Sequence, residues 1–181
     1  MKTKFKLMLI ALAALTVLAG HVRGRSSAPA IDNNVNPHYK GGSSFNFVGA
    51  APNVARCGPF PENVELSFTG GGTDTEGGLN TAVFSACNNT LTNRVSDLRA
   101  TDTYVQTGDQ VFIEGDPFVL EPNLANCTAA NAHPVPFRVT GGTGAYANAS
   151  GQGYFHIATN LTPCNGIVAP SQVWFSGVIQ K

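Results

Sequence analysis

From residue 43 onward the chain is built of short runs in which apolar and polar residues alternate, separated by Gly, Asn and Pro. Nowhere beyond the first twenty residues do apolar residues recur over a useful length at the spacing of a helix face. Strand side chains point to opposite faces at successive positions, so a two-residue period marks half-buried β-strands. Val135-Pro136-Phe137-Arg138-Val139-Thr140 is the clearest case, with Val, Phe and Val on one face and Pro, Arg and Thr on the other. Pro136 places that run at an edge or at the start of a strand, because proline has no N–H for a ladder. Similar runs begin at Phe45, Val64, Ala82, Asp102, Gln110, Phe118, Gly153 and Val173. About eight or nine strands at this spacing predict an all-β barrel or sandwich.

The first twenty residues have a different character. Lys2, Lys4 and Lys6 precede the apolar run from Leu7 to Leu18. A basic start and an apolar stretch of this length are the pattern of a cleaved signal peptide, and the run is too short to span a bilayer. Cleavage is expected after Ala19, Gly20 or Ala30, and His21 occupies the place where a lipoprotein needs Cys. The expected organisation is a signal peptide over 1–20, a flexible polar segment over 21–42 and a β-barrel domain over 43–181. Three of the 11 basic residues lie in the leader, leaving 8 against 11 acidic ones. That balance lacks the basic patch needed for nucleic acid or an anionic membrane surface. The protein is therefore expected to be secreted or periplasmic, with no nucleic-acid partner and no membrane association once the leader is removed.

Cys57, Cys87, Cys127 and Cys164 all follow the leader and contain no C-x-x-C pair. In an exported chain this predicts two disulfides, with three pairings open. Two cysteines lie in polar stretches that read as insertions, Cys57 to Pro61 and Pro122 to Pro134, so the bridges are expected to tie loops to the barrel.

Gly141-Gly142-Thr143-Gly144-Ala145-Tyr146-Ala147-Asn148-Ala149-Ser150-Gly151 is the densest glycine segment between two strand-like runs. A phosphate loop would need Lys-Ser/Thr after the last glycine, or a helix opening there. Gly151 is followed instead by Gln152-Gly153-Tyr154-Phe155-His156-Ile157, which alternates like a strand. The glycines thus predict a sharp reversal with close strand packing, and Tyr146 and Ala149 turned inward. The pattern Gly-Gly-Thr-Gly-x-Tyr-x-x-Ala-x-Gly resembles a segment of the allene oxide cyclase and dirigent-type barrels and of small secreted bacterial proteins in that superfamily. The resemblance covers about eleven residues well and a longer stretch from Val135 to Ile179 loosely. It implies an antiparallel, eight-stranded, calycin-like barrel and raises a cofactor-free isomerase or cyclase as one function. It carries over no catalytic residue. The four cysteines and the Pro122–Pro134 stretch depart from the family's pattern, and the disulfide-tied loops are expected from the cysteines alone.

Candidate chemistry is sparse. His156, Glu65 and Glu114 lie in strand-like runs and are the weak catalytic candidates, as acid or base groups if they face a lumen; His133 sits in a loop. No G-x-S-x-G nucleophile motif occurs. Asp74 with Glu76, and Asp109, Glu114 and Asp116, offer oxygen atoms without the spacing of a calcium loop. No metal and no cofactor is expected. Four N-x-Ser/Thr sequons, at Asn88, Asn126, Asn148 and Asn160, read as products of an Asn- and Thr-rich composition. An eight-stranded barrel is wide enough to be filled by side chains or to hold one small ligand. Phe112, Phe137, Tyr146, Phe155 and Trp174 are the candidate lining residues, with Phe45, Phe47, Phe68 and Phe84 available to it. The leading expectation is non-catalytic binding of a small apolar ligand or a surface partner. The alternatives are the isomerase or cyclase, and an interaction module with a filled barrel.

Overall fold

A computed structural model describes residues 38–161 and 168–181. The expected leader, most of the expected flexible segment, and Cys164 lie outside them. The elements in chain order are β1 (Tyr39–Ala51), α1 (Val54–Cys57), β2 (Asn63–Asp74), β3 (Gly78–Asn89), β4 (Arg94–Tyr104) and β5 (Gln110–Gly115). Then follow β6 (Phe118–Val119), β7 (Glu121–Asn123), β8 (Thr128–Ala130), β9 (Val135–Gly142), a 3₁₀ turn over Gly144–Tyr146, β10 (Ser150–Asn160) and β11 (Val168–Gln180).

Strands β1, β2, β3, β4, β5, β9, β10 and β11 pair in that order, all antiparallel, and β11 returns to β1. The result is a closed eight-stranded barrel, so its ladder has no free edge to protect. The short β6 extends β4, while β7 and β8 form a small hairpin laid against the end of β10. Inward positions follow the two-residue period. On β3 they are Asn80, Ala82, Phe84, Ala86 and Asn88, all buried, while Leu79, Thr81 and Val83 are exposed. Phe68 on β2 and Phe84 on β3 are directly paired and stack with ring centroids 4.2 Å apart. Each phenylalanine buried in this way contributes about 1.5–3 kcal/mol.

Several sequence expectations need correction here. Strand β1 starts at Tyr39, inside the segment expected to be flexible. The Pro122–Pro134 stretch, read as a loop, holds β7 and β8. Pro136 is indeed near the start of its strand, but β9 is paired on both sides, with β5 and β10. The closed sheet tolerates the missing donor at the second residue of the strand.

The two ends of the barrel differ. At one end, the turn end, the connections are the stretches 75–77, 105–109 and 143–149. The last of these is the glycine segment. Gly144 has φ of +54°, and a Cβ there would lie 1.7 Å from Asp109 Oδ1. Only glycine fits that corner, where the carboxylate of Asp109 accepts from the Ala145 N–H. Tyr146 and Ala149 are both buried, as their pattern predicts. At the other end, the loop end, Cys57 of α1 is bridged to Cys87 on β3 across 30 residues. Cys127 is also disulfide-bonded.

Candidate functional site

The inward side chains do not fill the barrel completely. Between them lies a chamber of about 70 Å³, lined by the rings of Phe45, Phe84, Phe137, Phe155 and Phe175 and by smaller aliphatic groups. Among the described residues, Ser43 and Asp102 supply its only polar side chains. A second, smaller space of about 20 Å³ lies toward the loop end, with Leu66, Phe68 and Phe118 in its wall. Phe84, Leu98 and Ile157 line both.

Asp102 is the chemical feature of the chamber. It sits on β4 between Ala82 of β3 and Val111 of β5, with 5% of its surface exposed. No described side chain or backbone group donates a hydrogen bond to its carboxyl. Burial first, and the nearby Asp74 carboxylate second, push its acid up to about 7. Low dielectric disfavours the charged form and a like charge adds to the effect. Asp74, by contrast, is well partnered. Its Oδ1 accepts from the N–H groups of Glu76 and Gly77, and its Oδ2 accepts from Asn80 Nδ2 at 3.1 Å.

Toward the turn end the lumen is closed by tyrosines. Tyr39 and Tyr104 are almost fully buried, and neither hydroxyl has a hydrogen-bond partner. Burial first, then Asp102 for Tyr39 and the Tyr39 phenol for Tyr104, push both phenols upward, so they stay neutral donors. Tyr104 packs on Tyr146 with ring centroids 5.1 Å apart, and the Lys181 ammonium lies 4.4 Å from the Tyr146 ring centre. Buried hydroxyls usually find partners, so two unpartnered ones beside the buried Asp102 carboxyl set this end of the lumen apart.

The sequence candidates scatter around the wall. Phe137 and Phe155 line the chamber as expected. Phe112 does not: it is 36% exposed and points outward, while its neighbours Val111 and Ile113 point in. Trp174 is 53% exposed and also outside, the inward place being taken by Phe175. Tyr146 packs at the turn end rather than in the chamber wall. All three weak catalytic candidates are outside the lumen. His156 is exposed opposite Trp174. Glu114 faces solvent and meets Arg138 at 3.3 Å.

Glu65 belongs to a separate cluster on the outer wall at the loop end. There Arg56 of α1 ion-pairs with Glu65, donates from Nε to Asp97 Oδ2 at 2.5 Å and donates to Ser85 Oγ at 2.7 Å. Asn53 caps α1 and donates to the second Glu65 oxygen at 2.7 Å. The Asn53 amide and then Arg56 hold the Glu65 acid below its usual range. For Asp97, burial acts upward but is outweighed by hydrogen bonds from Arg56 and Arg99, and its acid is also lowered. This is structural chemistry, a saturated ion cluster that pins a loop.

Asp102, Tyr39 and Tyr104 were missed by sequence reasoning. The signal was present in the alternation Leu98, Ala100, Asp102, Tyr104, which puts an acid on the same face as three apolar neighbours. Among the described residues no group of three or more His, Cys, Asp or Glu is placed to hold a metal. No described helix is long and apolar enough to cross a membrane. Comparison with protein-family models, with curated proteins and with solved structures finds no match to this chain.

Proposed function

We propose that this chain is an exported, non-catalytic barrel that binds a small, largely apolar molecule in its lumen. The observation that carries the reading is the phenylalanine-lined chamber of about 70 Å³. An apolar space of this kind favours an apolar guest over water, and pockets for small molecules combine such walls with one or two polar groups. The size matters too. A cavity of about 150 Å³ holds a benzene ring, so this one accepts a guest of only a few heavy atoms without repacking. Export is supported by the basic and apolar leader pattern and by the Cys57–Cys87 bridge, which suits an oxidising compartment.

Xenon tests the reading, because it probes apolar space without any polar contact. Saturable methyl shifts at Ile113, Ile157 and Val173 under xenon pressure are expected, and Ala100→Leu, which extends into the chamber, should abolish them. Absence of any saturable shift in the folded protein leaves the filled interaction module as the better account.

A second reading rests on Asp102. A carboxyl titrating near neutrality inside an apolar chamber can give or take a proton. That supports a cofactor-free isomerase or cyclase, the activity suggested by the likeness of Gly141–Gly151 to allene oxide cyclase and dirigent-type barrels. The small chamber and the lack of a second positioned acid or base at its wall weigh against it.

A further inference from the structure

We infer that the chamber is selective for a small cation, an alkylammonium group whose nitrogen pairs with Asp102 while its hydrocarbon part lies among the phenylalanines. The inference rests on the lumen-binding reading and adds the sign of the guest's charge. Every electrostatic feature facing the chamber points the same way. Among the described residues its one ionisable lining group is the acid Asp102, and no Lys, Arg or His lines it. A second carboxylate, Asp74, is close enough to act on Asp102. Five phenylalanine rings surround the space, and an aromatic face is negative and attracts cations. Ser43 adds a hydroxyl that can accept a hydrogen bond from an N–H.

The missing partner is the second half of the case. Asp102 is buried and accepts no hydrogen bond from any described residue, whereas Asp74 beside it and Asp97 on the same strand are both supplied with donors. A buried carboxylate without a donor is strongly disfavoured, and an ammonium supplies both the charge and the hydrogen bonds it lacks. An anionic guest would meet the Asp102 carboxylate and the negative faces of the phenylalanine rings.

The titratable groups that face Asp102 are Asp74 on β2 and Tyr39 on β1. Its paired neighbours Ala82 on β3 and Val111 on β5 do not titrate, and Tyr104 follows on its own strand. With the acid ionising at about 7, cation binding must be strong above that pH and weak below it. The affinity for a permanently protonated amine should fall roughly thirty-fold between about pH 8 and about pH 5.5.

The test is NMR titration of the full folded chain with n-propylammonium, n-propanol, acetone and propionate, alongside xenon. n-Propylammonium is expected to bind at least about tenfold more tightly than n-propanol at pH 8 and to lose this advantage at pH 5.5. Asp102→Asn, which keeps the shape, should erase the preference and leave propanol and xenon binding intact. If propanol and xenon bind but the amine gains nothing, the cation inference is wrong and the lumen reading stands. Tighter acetone binding toward low pH overturns it as well, in favour of a neutral acceptor held by the protonated acid. If xenon also fails, both readings fall together.

Discussion

Asp97 and Asp102 lie on the same strand, β4, on opposite sides of the barrel wall. Asp97 faces out and is gripped by Arg56 and Arg99, and its acid is held below the usual range. Asp102 faces in, has no donor, and its acid is pushed up. The outer carboxylate does a fastening job, since Arg56 sits next to Cys57 and together they hold α1 against β2, β3 and β4. The inner one fastens nothing. A group that costs stability and joins no structural contact is better explained by what it can meet than by what it holds.

Replacing Asp102 by Asn should have the largest effect. In the unfolded chain the acid ionises near 3.8, and in the barrel at about 7. Between those values the unfolded chain has released a proton that the folded chain keeps, so stability falls as pH rises through this window. The wild type should therefore lose about 4 kcal/mol from this group across it, and D102N should not. Urea unfolding at about pH 4 and about pH 8 measures the difference, and equal values at both would remove the contrast between the two aspartates.

Opening the Cys57–Cys87 bridge by replacing both residues with Ala should cost about 3–4 kcal/mol, from the loop entropy returned to the unfolded chain. Arg56→Met comes next, at about 2 kcal/mol, because Glu65 and Asp97 lose their charged donors while remaining partly solvated. Here the pH dependence has the opposite sign. The acids of Glu65 and Asp97 are lowered by folding, so their stabilisation is present near neutrality and fades as pH falls through the acidic range. Thermal melts of R56M should show that fading reduced. Smallest of all, Glu114→Gln and His156→Ala on the outer wall should each change stability by less than about 0.5 kcal/mol and leave probe binding unaltered. A clear loss of binding in either variant would return the site to the outside of the barrel.

The barrel was legible because its signal is local and repeated. Alternation from Val135 to Thr140 and from Gly153 to Ala158 needs no long-range knowledge, and the turn at Gly144 needs a left-handed residue that the chain supplies. The site was less legible for a related reason. Alternation tells which residues share a face but not which face is the inside, so Phe112 and Trp174 were assigned to the lumen when their neighbours Ile113 and Phe175 occupy it. A register shift between β5 and β9 at Phe112 and Ile113 further blurs the parity there. Asp102 was overlooked because an acid in a Thr-rich run looks solvated until the strand is seen to extend back to Arg94. The Arg56 cluster was invisible for another reason: besides the nearby Glu65 it joins α1 to Ser85 on β3 and Asp97 on β4, 29 and 41 residues further along the chain.

Phe84 stands in the wall of both the larger chamber and the smaller one behind it. On the proposed lumen-binding reading, this one ring on β3 would set how deep a guest reaches, while the acid proposed to read charge is on β4. That reading places length discrimination and charge discrimination at separate positions on neighbouring strands. A barrel arranged in this way can be retuned for longer or shorter guests without disturbing how it recognises their polar end.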